Sequence, residues 1–332
     1  MCAWPALDVA DRVHRGRLPA PFYALWVLTV LSGGVGAARL LAGVVQIADP
    51  ATVTAVVNVG DDVVVHGLRV SPDLDTITYT LSGLNNEVTG WGVIDESWRV
   101  MDELDALGGP TWFRLGDRDL ATHLLRTGRL ADGATLSEVT AELAVARGLR
   151  VALLPVSDDR VATVLTTVDG ERLGFQTYFV ERRHDVAVRS IEFDGADRAV
   201  PAPGVLDAIA AAQRVVVAPS NPLLSIDPVL AVPGVRDAVA RRRHDVTAIS
   251  PIVGGAALKG PAGRLLTELG HDASALGVAR HYQPLVGTMV IDVVDAGLAG
   301  QIEALGMRCV VTDTVMRDAA SAAALAEVAC HG

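Results

Sequence analysis

The chain has 332 residues, a formal net charge of −11 and hydrophobic residues at 50% of its positions. That length suits one large α/β domain or two smaller ones, and the acidic charge argues against general nucleic-acid binding. An acidic protein that binds a phosphorylated substrate must concentrate positive charge locally or use a divalent metal. Cys2, Cys309 and Cys330 lie far apart without CxxC or CxxH spacing. We therefore expect no disulfide framework or structural zinc site, and a cytoplasmic protein.

The N-terminal region contains arginines followed by an apolar stretch. Arg12, Arg15 and Arg17 precede Pro21–Leu31, a pattern that superficially resembles a signal peptide. A buried parallel strand explains the apolar residues equally well, and cleavage there would remove the glycine loop that follows. We therefore predict a disordered N-terminal extension over residues 1–26 and one folded domain over residues 27–332.

A glycine-rich loop follows the first predicted strand. Its three glycines are Gly33, Gly34 and Gly36. A helix is predicted over Ala37–Ile47, and the order strand, glycine loop, helix is one that holds phosphate, because the backbone can approach an anion closely there. Arg39 could add guanidinium donors to this loop. A tight turn without a ligand is the alternative interpretation.

Apolar strands alternate with helices along the rest of the chain. The other predicted strands are Ala51–Asn58, Val151–Pro155, Arg214–Ala218, Asp245–Ser250, Thr288–Val294 and Met307–Thr312. Between about residues 156 and 200 the hydrophobic period changes to two, which indicates a β-hairpin-rich insertion. The pattern predicts an α/β fold with a Rossmann-like, doubly wound, mostly parallel sheet.

Acidic and polar residues stand where two of these strands end. Asp61 and Asp62 follow the second strand, and Asp75 opens the next helix. Carboxylate oxygens at such positions suit magnesium beside substrate phosphates, although adjacent aspartates after a glycine are also common in turns. Ser220 and Asn221 follow a later strand and form a second candidate anion loop.

A predicted helix near residue 117 carries three further titratable residues. Asp117 has the position of an N-cap, while Asp119 and His123 fall on one helical face because they are four residues apart. For the two aspartates, capping and helix-dipole contacts are the simpler interpretation, and for His123 a packed side chain is simpler than a ligand role.

Five motifs in this order resemble the 2-phospho-L-lactate transferase family of coenzyme F-420 biosynthesis. They are VVNVGDD (Val56–Asp62), SPDLDTITYTL (Ser71–Leu81), LGDRDLATH (Leu115–His123), APSNPLLSI (Ala218–Ile226) and SPIVGGAALKGPAG (Ser250–Gly263). The resemblance covers the chain from about Leu28 onward. It departs from the family at Ala37, where many members have a second glycine.

The resemblance implies a magnesium-dependent transferase with a Rossmann-like fold, typically a homodimer. The implied reaction moves a phosphoenolpyruvyl or 2-phospholactyl group from a guanosine-diphosphate-linked donor to the ribityl hydroxyl of a deazaflavin. The acceptor is 7,8-didemethyl-8-hydroxy-5-deazariboflavin, and GMP is released. The implied partners are these two small molecules, with no nucleic acid and no membrane.

The resemblance also implies roles for particular residues. Asp61 and Asp62 are the metal and reaction-centre carboxylates, and Asp75 is a third candidate catalytic residue that orients the acceptor hydroxyl or accepts its proton. The implied deazaflavin contacts are Asp75, Thr76, Tyr79, Trp91 and Arg118. The implied contacts to phosphate and nucleotide are Gly33, Gly34, Gly36, Arg39, Asn58, Ser220, Asn221 and Ser225.

Two other functions remain open at this stage. A nucleotide-binding regulator of the gluconeogenesis-factor type would share the general fold and the early glycine loop. A nucleotide-dependent dehydrogenase would also have a Rossmann-like fold, but Arg39 stands where its fingerprint requires glycine or alanine.

Overall fold

The computed structural model describes residues 27–86, 90–257 and 260–331. The predicted extension over residues 1–26 lies outside this part of the chain. The strands are β1 (Leu28–Ser32), β2 (Val53–Val57), β3 (Val63–Val65), β4 (Leu68–Val70), β5 (Ala152–Pro155), β6 (Ala162–Thr167), β7 (Arg172–Gly174), β8 (Val188–Asp194), β9 (Arg214–Val217), β10 (Val246–Ile249), β11 (Ile252–Val253), β12 (Ala256–Ala257), β13 (Thr288–Asp292) and β14 (Arg308–Thr312).

The helices cover both faces of the central sheet. They are α1 (Gly34–Ile47), α2 (Pro72–Leu81), α3 (Arg99–Ala106), α4 (Asp117–Ala131), α5 (Leu136–Ala146), α6 (Val205–Ala211), α7 (Asp227–Ala231), α8 (Val235–Arg241), α9 (Ala262–Glu268), α10 (Ala275–Tyr282), α11 (Ala299–Glu303) and α12 (Ala319–His331). None of the helices in the described ranges is long and apolar enough to cross a membrane.

The central sheet is parallel throughout and has seven strands within the described residues. Their order is β14-β13-β10-β9-β1-β2-β5. The chain adds β2 and β5 on one side of β1 and the later strands on the other side. The topological switch point, where α/β proteins bind ligands, therefore lies between the carboxyl ends of β1 and β9. This architecture confirms the predicted fold class.

The sequence explains why these segments form buried strands. Every residue of β1 and of β10 is buried, because helices cover both faces of the sheet and no position alternates toward solvent. Helix α1 packs its alanines and leucines on the sheet and approaches α12 at Gly43, where a Cβ atom would overlap the backbone of Ala322. Glycine at this position lets the two helix backbones approach closely.

The insertion that the sequence predicts is a small antiparallel sheet in the order β7-β6-β8. It contacts the turn that follows β2 at two points. The backbone N–H of Thr163 donates to the Gly60 carbonyl at 2.7 Å, and Gln176 Nε2 donates to the Asp61 carbonyl at 2.9 Å. The insertion therefore supports the backbone of the turn that carries the acidic pair.

The N-cap prediction for Asp117 is wrong by one residue. Gly116 caps α4, and Asp117 is the first residue of the helix. The Asp117 carboxylate accepts hydrogen bonds from the Ser97 hydroxyl and, at 3.3 Å, from the Val100 backbone N–H. The Asp117 carboxylate therefore binds a backbone N–H at the beginning of α3, which the tertiary fold brings within its reach.

Candidate functional site

The two predicted anion loops meet at the switch point. The Ser220 hydroxyl donates to the Gly33 carbonyl at 2.7 Å, which links the loop after β9 to the loop after β1. A Cβ atom on Gly36 would overlap the Pro219 carbonyl oxygen, and one on Gly33 would lie 2.7 Å from Ser225 Cβ. Glycine at both positions is therefore needed for the close contact of the loops.

Gly34 is held in a left-handed conformation, with φ of 70°, and its N–H is already engaged. It donates to Asp73 Oδ1 at 2.8 Å, so a carboxylate of the same chain lies in the glycine loop. The other oxygen of Asp73 accepts from Asn58 Nδ2 at 2.9 Å, and Asn58 Oδ1 accepts from the Gly60 N–H at 2.7 Å. Asp73 and Asn58 thus connect the glycine loop to the acidic turn, and the sequence analysis missed Asp73.

The acidic turn after β2 has two carboxylate oxygens without a hydrogen-bond partner of good geometry among the described residues, although the nearby side chains of Asn58 and Thr163 lower the pKa of Asp61. Asp61 is 5% exposed, and its Oδ1 has no hydrogen-bond partner there. Asp62 Oδ2 accepts from the Ser71 hydroxyl at 2.7 Å, while Asp62 Oδ1 also lacks a partner. Buried polar atoms are nearly always hydrogen-bonded, so two exceptions on adjacent carboxylates make the turn a candidate ligand site.

Burial raises the pKa values of three carboxyl groups at this site. The pKa of Asp61 rises well above its ordinary value, mainly through desolvation and then through the nearby charge of Asp73. Desolvation raises the pKa of Asp62 to about 8 and that of Asp73 to about 6. Water has been withdrawn from a concentrated negative charge, so a bound cation would be strongly favoured.

The acidic turn fits a magnesium ion of the kind that shares its ligands with a substrate. Within the described ranges, no three His, Cys, Asp or Glu side chains are grouped to hold a metal. Magnesium, however, usually takes one or two carboxylates, several waters and substrate phosphates. The unpartnered oxygens of Asp61 and Asp62 are hard ligands of this type. They are the residues that could hold the ion.

Asp75 lies beside this turn and is bound by an arginine of α4. Arg126 Nη1 donates to Asp75 Oδ2 at 3.1 Å, and Nη2 donates to Asp75 Oδ1. Ser71 links the two carboxylate residues, since its hydroxyl donates to Asp62 and its carbonyl accepts from the Asp75 N–H at 3.0 Å, and the charge of Asp75 contributes to the raised pKa of Asp62. The sequence analysis missed Arg126, which is 51 residues from Asp75 and has no motif that marks it as a partner.

The predicted deazaflavin contacts occupy two different environments. Thr76 and Tyr79 lie on α2 with Asp75, and the buried Tyr79 hydroxyl donates to Asp119 Oδ1 at 2.6 Å. Trp91 is 46% exposed, and the exposed Arg118 donates to the Ile94 carbonyl. The structure therefore directs the Tyr79 hydroxyl to α4 and leaves Trp91 and Arg118 exposed.

Two predicted nucleotide contacts have other partners in this structure. Arg39 is exposed, and its Nη1 donates to the Met316 carbonyl at 3.3 Å. Asn221 Oδ1 accepts from the N–H groups of Leu223 and Leu224, at 3.0 and 3.3 Å, and so caps the π-helical turn that follows. Such turns are frequent at functional sites.

Comparison with known proteins identifies the class to which this fold and site belong. The family model described as 2-phospho-L-lactate transferase CofD matches residues 28–324. The chain belongs to this family, which confirms the predicted resemblance and the prediction that it is an enzyme, a transferase.

The curated relatives are consistent with this assignment. A phosphoenolpyruvate transferase of Streptomyces griseus is 47% identical over 307 residues, which cover 91% of this chain and 96% of that relative. The protein of the same name from Streptomyces coelicolor is 44% identical, with the same coverage. These relatives match nearly end to end.

Solved structures with this fold include two of a UPF0052-family protein from Bacillus halodurans. They cover 92% of this chain and 98 or 99% of their own, with TM-scores of 0.61 and 0.62. Their sequences are 16 and 17% identical to this one, so they bear on the fold alone.

Proposed function

We propose that the chain transfers a phosphoenolpyruvyl group from a guanosine-diphosphate-linked donor to the ribityl hydroxyl of 7,8-didemethyl-8-hydroxy-5-deazariboflavin. GMP is the second product, and the reaction belongs to coenzyme F-420 biosynthesis. The observation that carries the proposal is the acidic turn beside the glycine loop. There, two buried carboxylate oxygens, one each from Asp61 and Asp62, have no partner among the described residues. Family membership and the names of the relatives support the choice of reaction.

The proposed donor site lies between the two loops at the switch point. Backbone amides early in α1 face this position, since the first N–H groups of a helix have no partner within the helix. Gly34 is an exception, because its N–H is bound to Asp73. The cradle therefore consists of the remaining amides of the first turn together with the loop that contains Ser220.

Asp61 and Asp62 would hold the magnesium ion through their unpartnered oxygens. When bound, the ion would neutralise charge on the diphosphate in the transition state. Asp75 lies beside this turn and would orient the acceptor hydroxyl by accepting its hydrogen bond. The chain thus contributes mainly positioning and charge compensation, which is what phosphoryl transfer requires.

The decisive experiment offers the protein a choice of donors. The purified chain is incubated with the deazaflavin, magnesium and one guanylated donor that carries enolpyruvate, lactate or glycerate, and the products are identified by mass. We expect the enolpyruvyl product to form fastest, together with GMP. Product from the lactyl donor alone would revise the donor. The absence of product from every donor, with a folded protein, would refute the proposed function.

The homodimer and the cytoplasmic compartment remain predictions. Light scattering tests the first: a dimer has twice the 34.7 kDa mass of the chain. Fractionation of native cells tests the second.

A further inference from the structure

Arg126 is a buried cation that the proposed mechanism does not use. Its side chain lies on α4 and is 1% exposed. Burial of a guanidinium is costly unless it is paired and hydrogen-bonded. Here the two terminal nitrogens reach both oxygens of Asp75, and Nη1 also donates to the Arg69 carbonyl at 3.3 Å. This is the two-point geometry for which arginine is suited and lysine is not.

A second layer of side chains holds the guanidinium in place. Arg126 Nη1 lies 3.3 Å from His123 Nδ1. A guanidinium has no acceptor atom, so Nδ1 must accept, and the ring proton of a neutral His123 is on Nε2. That nitrogen lies 3.0 Å from Asp119 Oδ1 without forming a hydrogen bond, and the same oxygen accepts from the Tyr79 hydroxyl at 2.6 Å. Arg126 is thus contacted by His123 of its own helix and by Asp75 of α2.

The charge of Arg126 also reaches the acidic turn. It lowers the pKa of Asp62, in opposition to burial, and the carboxylates of Asp75 and Asp62 in turn raise the pKa of Arg126. The guanidinium therefore compensates part of the negative charge beside the position proposed for the metal.

We propose that Arg126 is a positioning residue of this site, whose two-point ion pair fixes the Asp75 carboxylate in the orientation that meets the acceptor hydroxyl. The inference rests on the proposed function. The ion pair with Arg126 leaves Asp75 able to accept a hydrogen bond from the acceptor hydroxyl, because each carboxylate oxygen has a second lone pair. This positioning of Asp75 requires the planar fork of arginine and not merely a positive charge.

The first test is Arg126→Lys, which keeps the charge and removes the fork. A displaced Asp75 should lower kcat by about 10- to 100-fold, since misplacement by about 1 Å costs about that much. The KM of the guanylated donor should stay within about twofold, because its cradle is built by other loops. Arg129→Lys is the control, since Arg129 is half-buried on the same helix, away from Asp75, and pairs through its own fork with Glu142. It should change neither constant.

The second test asks whether Arg126 acts through Asp75. It tests the inference even if Arg126→Lys does not fold. Arg126→Met alone leaves a buried carboxylate unpaired, whereas the double variant Asp75→Asn with Arg126→Met removes both charges. We expect the double variant to regain thermal stability relative to Arg126→Met. Its kcat should be no lower than that of Asp75→Asn alone.

Two results would overturn the inference while wild-type transfer is intact. One is wild-type kcat in Arg126→Lys. The other is that Arg126→Met lowers kcat by the same factor in the wild-type background and in the Asp75→Asn background. No product from wild-type protein would instead refute the proposed function and this inference with it.

Discussion

Two buried aspartate positions at the same edge of the central sheet have opposite hydrogen-bonding environments. Asp292 ends β13, is 2% exposed, and has every oxygen engaged. Its Oδ1 accepts from the Val294 N–H at 3.1 Å, and its Oδ2 accepts from the N–H and hydroxyl of Thr314 at 2.9 and 3.0 Å. Asp61, after β2, is 5% exposed and keeps Oδ1 without a partner in the described chain.

This contrast underlies our proposal that Asp292 is a structural carboxylate and that Asp61 receives a ligand. Residue type, burial and position at the sheet edge are the same, so none of these distinguishes the two. An unpaired buried oxygen costs about 1–3 kcal/mol, and a protein retains such a cost where a ligand offsets it. The predictions below test whether Asp61 serves function and Asp292 serves stability.

The largest expected effect is on turnover in Asp61→Asn. Loss of a carboxylate that holds the metal should lower kcat by about 100- to 10,000-fold, since such an ion contributes several kcal/mol to the transition state. The melting temperature of the metal-free protein should stay the same or rise, because a poorly solvated charge is removed. Product mass and differential scanning fluorimetry measure the two quantities. Near-normal turnover would exclude Asp61 from the mechanism.

Asp292→Asn should show the reverse pattern. The amide cannot accept at both positions, so a Thr314 donor or the Val294 N–H is left unsatisfied. We expect the free energy of unfolding to fall by about 1.5–3 kcal/mol, which is the range for a hydrogen bond to a charged group. Turnover at a temperature where the variant is folded should stay within about threefold of wild type. A loss of turnover as large as that of Asp61→Asn would abolish the distinction.

Gly36→Ala tests the loop beside the acidic turn. The added Cβ would overlap the Pro219 carbonyl oxygen, so the two loops must separate. We expect a stability loss of about 1–3 kcal/mol, as in overpacked interiors, and a higher KM for the guanylated donor. Gly128→Ala is the matched control, since it lies within α4 and its Cβ would meet no atom within 4 Å. It should stabilise the protein by about 0.5–1 kcal/mol. Equal effects of the two substitutions would show that the loops do not need their close contact.

The fold could be predicted because its signals are local. Each strand of the parallel sheet is a short apolar run, as in Leu28–Ser32, and glycine or polar residues follow where the chain leaves the sheet. The sequence marked Gly33 and Ser220 as residues of two separate candidate anion loops, each after a strand. The strand order of the structure places β9 beside β1, and a hydrogen bond joins the two loops.

The hydrogen-bond partners at the site could not be predicted, because they come from distant parts of the chain. Asp73 reaches Gly34 across 39 positions, and Gln176 reaches Asp61 across 115. Neither spacing follows from a helical or strand period. Arg126 likewise has no signal beyond its place three residues after His123, and only the tertiary fold brings the Asp75 side chain of α2 within its reach.

The final prediction is a pH dependence of stability at the acidic turn. Asp62 has its pKa raised from 3.8 to about 8 in the folded, metal-free chain. Between those two values the folded state holds a proton that the unfolded state has lost. The contribution of this group to stability is complete below the lower value and is lost as the pH rises through the higher one. The free energy of unfolding should therefore fall by at most about 1.4 kcal/mol per pH unit for this group.

Asp62→Asn should reduce this slope, leaving the contributions of Asp61 and Asp73, when urea unfolding is measured at pH 6, 7 and 8 in EDTA, whereas Asp292→Asn should retain the full slope. Magnesium competes with the proton for the same oxygen, so in wild-type protein it should stabilise more at pH 8 than at pH 6. Equal slopes in wild type and Asp62→Asn would mean that the folded chain carries Asp62 ionised without a cation. The unpartnered oxygen of Asp62 would then be accessible to water. The acidic turn after β2 would in that case differ less from the Asp292 site than their hydrogen bonds indicate.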